Sequence, residues 1–263
     1  MNSTAKDNAR EAVDQVALKA CVLRLGDNAL ILGQRMTEEV AHGPELEEEL
    51  ANANFALDYV GQARLFYQYA AELDGGDRDE DFYAFRRDAQ EYQNFLLLEQ
   101  PNGDFGQQIV RQFLFECFYL MQLESLTDCK DPRLAEIAAR AVKEIRYHLR
   151  HARLWLVRLG DGTAESHARV QDSLDGLWRY CGEFFASDDT DRAIAAAIGF
   201  TEPAGFRAEW ETVVDAALAE ATLEKPEQPW ITRGGRQGEH TEHLGFLVAE
   251  MQHLQRSYPG ATW

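Results

Sequence analysis

The chain has 263 residues and a formal net charge of −19 at pH 7. A surface this acidic repels nucleic acid and anionic lipid, so we expect neither as a partner. Hydrophobic residues make up 45% of the chain and charged residues 27%, which is typical of a folded protein and excludes a disordered one. No Ser/Gly-rich linker divides the sequence, and we predict one domain over residues 1–263.

The sequence contains no run of 18 apolar residues, and its first residues lack the apolar core of a signal peptide. We therefore predict a cytoplasmic protein that crosses no membrane. The cysteines show no Cys-x-x-Cys spacing and mostly have apolar neighbours, so we predict that all of them are buried free thiols. They are Cys21, Cys117, Cys129 and Cys181.

Alternating β-branched runs are absent, and long segments have helical periodicity. Gly and Pro separate these segments, Asp104 is placed to cap a helix start, and Asp131-Pro132 begins another helix. The predicted helices are, in chain order, Ala9–Ala41, Glu45–Leu73, Asp79–Phe95, Phe105–Leu126, one that starts at Asp131-Pro132 and ends at Gly160-Asp161-Gly162, Ala164–Ala186, Asp191–Ile198, Ala204–Leu223 and Glu239–Tyr258, with a polar loop over 224–238. Long helices joined by short turns predict an all-α fold, a four-helix bundle with additional C-terminal helices.

Acidic residues stand inside the apolar runs of these helices. Asp27 and Asp58 have apolar neighbours, and Glu116 lies in a segment that is hydrophobic all round. An isolated carboxylate there costs several kcal/mol unless it is paired, protonated or bound to metal. The intervals Asp27–Asp58 and Glu116–Glu144 each carry the chain up one long helix and down the next. A ferritin-like di-iron site has this layout, with Glu on two helices and Glu-x-x-His on the other two.

The histidines of such a site are missing. Gly61 stands three residues after Asp58, and Tyr147 three residues after Glu144, while His148 is one residue out of register. We therefore predict no metal and no catalytic residue in this chain, and a remnant of the metal site at Asp27, Asp58, Glu116, Glu144 and His148. Two alternatives remain: a di-iron enzyme with altered ligands that include His148, and a helical scaffold unrelated to oxygenation.

Without metal, the four carboxylates would repel one another and need neutralising groups. Arg64, Lys143 and Arg146 lie near Asp58 and Glu144 in the sequence and could neutralise them. Our hypothesis is that a salt-bridge and hydrogen-bond network takes the place of the metals. The simpler interpretation is that Asp27 and Asp58 face solvent or a partner subunit.

Several long stretches carry a family resemblance. They include LRLGDNALILGQR, HGPELEEELANANFALDYVGQARLF, EQPNGDFGQQIVRQF, DPRLAEIAARAVKEIRYHLRHA, ESHARVQDSLDGLWRY and GGRQGEHTEHLGFLVAEMQHLQRSYPGATW. Through them nearly the whole chain resembles the PaaC subunits of bacterial 1,2-phenylacetyl-CoA epoxidases, which serve phenylacetate catabolism.

The resemblance implies a ferritin-like fold and a non-catalytic, structural role. It implies pairing with a homologous ferritin-like subunit that holds the di-iron centre and activates O₂. A small additional subunit and a reductase that uses NADPH, flavin and iron–sulfur complete such an enzyme. The reaction converts phenylacetyl-CoA to its ring 1,2-epoxide, and this subunit is expected to carry no cofactor of its own.

The resemblance also suggests acyl-CoA contacts. Its first patch is Glu91, Tyr92, Gln93 and Asn94, and its second is Arg192, Ala193 and Ile194. A polar helix end is an equally good interpretation of the first patch.

Two further motifs are weaker. His240-x-x-His243 has ligand spacing, but a helix cap or an interface explains it better. The segment TRGGRQG resembles an anion-binding nest only loosely.

Overall fold

Ten α-helices account for most of the computed structural model, which describes residues 3–227, 229 and 232–261, and side chains from Gln15 onward. Within these ranges no residue is in a strand, and no helix is both long and apolar enough to cross a bilayer. The helices are α1 Ser3–Glu38, α2 Leu46–Asp74, α3 Glu80–Phe85, α4 Phe105–Thr127, α5 Pro132–Gly160, α6 Ala164–Trp178, α7 Asp189–Ile198, α8 Arg207–Glu220, α9 Glu242–Met251 and α10 His253–Ser257.

The four long helices form two hairpins. Helix α1 packs along α2, α4 packs along α5, and α2 and α5 adjoin to close one side of the bundle. Helices α6, α7 and α8 lie against α1, α4 and α5. The predicted all-α, ferritin-like bundle with additional C-terminal helices is confirmed.

Helix starts follow the local signals in the sequence. The carboxylates of Asp104 and Asp131 accept the backbone N–H groups of Gln107 and Leu134, so each caps its helix, as predicted for Asp104. Gly75 ends α2 with φ of 65°, in the left-handed region that glycine adopts without strain.

The predicted helix Asp79–Phe95 is wrong. Helix α3 ends at Phe85, a short 3₁₀ turn spans Ala89–Glu91, and the chain then runs extended through the interior. Phe95 there packs against Phe115 and Phe118 of α4, at 6.4 and 5.6 Å between ring centroids. Its backbone N–H donates to Asn28 of α1 at 2.9 Å. The extended segment therefore fills the space between α1 and α4.

Two other predicted helices are also interrupted in the structure. Helix α6 stops at Trp178 and is followed by a 3₁₀ turn over Cys181–Phe185, and the last predicted helix is split into α9 and α10. The four cysteines are buried and free, as predicted.

Candidate functional site

Asp27 lies within α1, and its side chain is fully buried. Its carboxylate accepts the hydroxyl of Tyr67 at 2.7 Å and the backbone N–H of Gln93 at 2.8 Å. Both terminal nitrogens of Arg87 also donate to it, one of them at 3.1 Å. Both oxygens of this buried carboxylate are thus satisfied, and a buried ion pair neutralises its charge.

Arg87 is held in place from several sides. Its Nε donates to the carbonyl of Tyr83 at 2.7 Å, and Nη1 donates to the carbonyl of Glu91 at 3.0 Å. The guanidinium also lies over the ring of Tyr92, 4.2 Å from its centroid. Burial lowers the pKa of Arg87, but the adjacent Asp27 carboxylate outweighs burial, and the pKa lies above its ordinary value. The side chain therefore stays charged and supplies a fixed cation beside Asp27.

Glu116 is the acid of α4 and has no exposed surface. Its Oε1 accepts the hydroxyl of Tyr59 at 2.8 Å, whereas Oε2 has no partner in the part of the chain that the structure describes. Burial raises the pKa of Glu116 to about 8, although the Tyr59 hydrogen bond opposes the shift. Glu116 is therefore mostly a neutral carboxylic acid at pH 7.

Glu144 of α5 belongs to a chain of polar side chains across the bundle. Its Oε2 accepts Nε2 of Gln62 at 2.9 Å, and its Oε1 accepts Nε of Arg140 at 3.3 Å. The carbonyl oxygen of Gln62 in turn accepts the hydroxyl of Tyr119 at 3.0 Å. Glu144 therefore bonds to an amide and an arginine, with partners on α2 and α5.

Asp58 and His148 meet where α2 and α5 adjoin. His148 Nε2 lies 3.0 Å from Asp58 Oδ2 and donates to it, and the His148 side chain is fully buried while that of Asp58 is 42% exposed. Phe55 lies against the imidazole, with the ring centroids 4.2 Å apart. Within the described residues, Nδ1 of His148 has no hydrogen-bond partner. The one histidine of the predicted remnant thus faces inward, as an i+4 residue can, and bonds to a remnant acid.

The arginines and lysine that the sequence suggested as neutralising groups do not do so. Arg64 pairs with Glu80 and Arg146 with Glu124, both near the surface. Lys143 forms no ion pair with any described residue. Sequence reasoning missed Arg140, which pairs with Glu144, and Arg87, which pairs with Asp27. Arg87 was missed because it stands in a segment that the periodicity placed in a helix.

These residues do not fit a di-iron centre. Asp27 is saturated by an arginine, a tyrosine and a backbone amide, and the Arg87 cation beside it repels a metal ion. Glu144 and Asp58 each bond to a different partner. No group of three or more His, Cys, Asp or Glu side chains in the described ranges could hold a metal ion.

Glu99 is another buried acid, and it holds the segment before α9. Nδ1 of His240 lies 2.9 Å from Glu99 Oε2, and Nε2 lies 2.9 Å from the Tyr92 carbonyl. Both neighbours are acceptors, so both ring nitrogens donate. Burial opposes this protonation, but the Glu99 hydrogen bond outweighs it and raises the pKa of His240. His240 thus links the segment before α9 to Glu99 and to the Tyr92 backbone, and the Thr241 N–H also donates to Glu99 at 2.6 Å.

The glycine loop TRGGRQG does form a nest for an anion, and the anion is internal. The backbone N–H groups of Gly234 and Gly235 donate to Glu183 Oε1 at 2.9 and 2.8 Å. The other oxygen of Glu183 accepts Leu96 N–H at 2.8 Å. Burial still raises the pKa of Glu183 above its ordinary value. The nest therefore binds this chain's own carboxylate and is not open to an external phosphate.

The residues suggested for acyl-CoA contact differ in accessibility. Glu91 is exposed and Gln93 half-buried, whereas Tyr92 and Asn94 are fully buried. In α7, Arg192 is exposed, Ala193 is partly buried and Ile194 is fully buried.

Arg24 of α1 joins the two patches. Its Nε donates to Gln93 Oε1 at 3.1 Å, and its Nη2 donates to Asp188, the cap of α7, at 2.6 Å. The Arg24 guanidinium and other hydrogen bonds outweigh burial, and the pKa of Asp188 is lowered. The structure therefore brings the two patches together on one side of α1.

The comparison with known families decides the affiliation. The family model described as "Phenylacetic acid catabolic protein" matches residues 1–263. The chain belongs to this family. It is also 48% identical over 246 residues to the C subunit of the 1,2-phenylacetyl-CoA epoxidase of Escherichia coli (strain K12), an alignment that covers 94% of this chain and 99% of the relative. The family resemblance expected from the sequence is confirmed.

Proposed function

We propose that the chain is a non-catalytic, structural subunit of a 1,2-phenylacetyl-CoA epoxidase. In this proposal it pairs with a homologous ferritin-like subunit that holds the di-iron centre, and it works in the cytoplasm. The small additional subunit and the NADPH-dependent flavin and iron–sulfur reductase are its further partners. The similarity to a subunit of the Escherichia coli epoxidase supports the enzyme system.

The observation that carries the non-catalytic role is the Asp27–Arg87 ion pair. A di-iron site needs its carboxylates free to bind metal, whereas this one accepts both terminal nitrogens of a buried guanidinium. Displacing that guanidinium by a metal would leave Arg87 buried without its counter-ion. In this proposal, what this chain contributes is a rigid helical body, and every step of the oxygen chemistry belongs to the partner.

Metal content and turnover test this role. The chain purified alone and with its catalytic partner is analysed for iron by mass spectrometry, and epoxide formation is measured for both samples. We expect substoichiometric iron and no turnover for the chain alone, with both present in the complex. About two irons per isolated chain would overturn the proposal and favour the altered di-iron enzyme that includes His148.

A variant of the remnant sharpens the test. Asp27→Asn in this chain should leave the iron content of the complex unchanged, even if it lowers stability. If Asp27→Asn lowers the iron content of the complex, the assignment of all metal to the partner is contradicted. A chain that fails to co-purify with the catalytic subunit would contradict the pairing.

A further inference from the structure

Helices α2 and α5 expose large apolar side chains on their shared outer face. On α2, Leu46, Leu50 and Leu57 are 66%, 57% and 69% exposed. On α5, Tyr147 and Leu154 are 54% and 61% exposed. We call these five residues and the surface between them the α2/α5 face. Apolar side chains clustered on two adjoining helices are typical of a surface that another protein covers.

Contacts between the two helices fix how these side chains align. Glu48 pairs with His151 at 2.8 Å near one end, and Phe55 packs on Tyr147 at 5.7 Å between ring centroids in the middle. The helices therefore run antiparallel, with Leu50 level with Leu154 and Leu57 level with Tyr147. Gly61 continues the α2 row, and a side chain added there would meet nothing within 4 Å. The row thus offers a smooth surface for another helix.

A cleft opens at one end of this face. It has a volume of about 200 Å³ and is lined by Glu48, His151, Leu154, Trp155 and Arg158. Nδ1 of His151 is buried there without a hydrogen-bond partner among the described residues. The cleft has room for an apolar side chain from a partner, which is how interface anchors bind.

The α5 side of this face carries exposed cations. Lys143, Arg150 and Arg158 are exposed on α5, and none forms an ion pair within the described residues. Arg150 and Arg158 lie over the rings of Tyr147 and Trp155 instead. These three cations have no ion-pair partner among the described residues, although the chain has a net charge of −19. They would complement a partner that presents carboxylates.

The face is also large enough. Helices α2 and α5 have 29 residues each, so each is about 43 Å long at ~1.5 Å per residue. Two helices at an interaxial spacing of ~10 Å present a strip of roughly 850 Å². A stable interface buries about 800 Å² on each partner, which this strip can supply.

We propose that the α2/α5 face is the docking surface for the catalytic, ferritin-like subunit of the epoxidase. The inference rests on the proposed function and adds where the partner binds. The partner is a helical chain with carboxylates opposite Lys143, Arg150 and Arg158 and an apolar side chain for the cleft. In this proposal the partner also covers the pair Asp58–His148, which lies where α2 and α5 adjoin and in which the Asp58 side chain is 42% exposed.

Binding measurements with surface variants test the proposal. This chain, as wild type, L57E, L154E or F246E, is titrated with the purified catalytic subunit of the same epoxidase. Phe246 of α9 is 71% exposed and serves as the matched control on another surface. We expect Leu57→Glu and Leu154→Glu to weaken binding more than ~10-fold, because each places a carboxylate where the partner would cover it without a counter-charge. Phe246→Glu should bind like wild type.

The charged rim gives a second readout. The double variant K143E/R150E should slow association and weaken its dependence on salt, since these cations attract the partner before contact. Unfolding curves that match wild type would show that the exposed substitutions do not disturb folding.

The outcomes separate the possible failures. If wild type and both face variants bind equally well, this face is not the interface, but the proposed pairing stands. If wild type does not bind, the proposed function fails. If light scattering instead shows a dimer of this chain that L57E and L154E dissociate, the occupant is a second copy and the proposal is wrong.

Discussion

The guanidinium of Arg87 binds the carboxylate of Asp27, 60 residues earlier in the chain, through both of its terminal nitrogens. Neither side chain reaches solvent to any useful extent, with side-chain exposures of 4% and 0%. A buried pair of this kind adds little net stability compared with apolar residues, but breaking it by removing one partner is costly. The pair is therefore a sensitive probe of how this core stabilises a buried carboxylate.

Arg87→Met should destabilise the protein by roughly 3–5 kcal/mol, because it leaves the Asp27 charge buried without a counter-ion. Urea unfolding measures this as a lower midpoint. The double variant D27N/R87M should recover much of the loss, since it removes both charges. The control is Arg64→Met, whose side chain is 68% exposed and pairs with Glu80, and it should cost about 0–1 kcal/mol. Equal effects of Arg87→Met and Arg64→Met would contradict the importance of the buried pair.

Glu116→Gln should stabilise the protein at neutral and higher pH. The pKa of Glu116 is raised by burial from 4.5 to about 8, so between these values the folded chain holds a proton that the unfolded chain has released. Stability from this group therefore falls as pH rises from about 4.5 to 8. Each pKa unit corresponds to about 1.4 kcal/mol, and we expect the variant to gain roughly 1–4 kcal/mol over wild type at pH 8.

The measurement for Glu116 is the unfolding free energy as a function of pH. The control is Glu136→Gln on α5, which changes the charge equally at a side chain that is 74% exposed. Parallel pH curves for wild type and Glu116→Gln would contradict the neutral, buried carboxyl.

Local signals in the sequence predicted the elements whose causes are local. The caps at Asp104 and Asp131 and the stop at Gly75 follow from side chains a few residues away. The burial of Asp27 and Glu116 followed from their apolar neighbours, because a residue surrounded by apolar side chains on all faces of a helix has no exposed face.

Distant partners could not be predicted. The segment after α3 has helical periodicity, yet Asp27 and Asn28 of α1 accept the backbone N–H groups of Gln93 and Phe95 and hold it extended. Those hydrogen bonds span 66 and 67 residues and override local propensity. The role of Arg87 depends on the same extended path. The hypothesis that named Arg64 and Arg146 failed because it chose cations that are near the acids in the sequence.

His240→Gln should remove a pH-dependent part of the stability. The pKa of His240 is raised above 6.5 by its Glu99 hydrogen bond, so the protonated imidazole contributes fully below 6.5 and the contribution is lost as pH rises through the raised pKa. Wild type should therefore lose more stability than His240→Gln between about pH 6 and pH 9. Urea unfolding at both pH values measures the difference.

The control for His240 is His243→Gln. His243 contacts Arg35 through its backbone carbonyl, which the substitution keeps, so this variant should retain the pH dependence of wild type. If His243→Gln alters the pH dependence as much as His240→Gln, the pH-dependent stability does not come from His240.

Gln93→Ala and Arg192→Ala should raise the KM of the assembled epoxidase for phenylacetyl-CoA and leave kcat unchanged, if the two patches joined by Arg24 contact the acyl-CoA. Loss of one hydrogen bond or surface ion contact costs about 0.5–1.5 kcal/mol, which corresponds to roughly 2–12-fold in KM.

Asn94 is unsuitable for this test, because its buried amide donates to the Phe95 carbonyl and to Glu99, so its loss would disturb folding. Arg169→Ala is the control, since Arg169 is exposed on α6 and pairs with Glu165. Steady-state kinetics of the whole complex measures the effect, and an unchanged KM in both variants would remove the two patches from the substrate site.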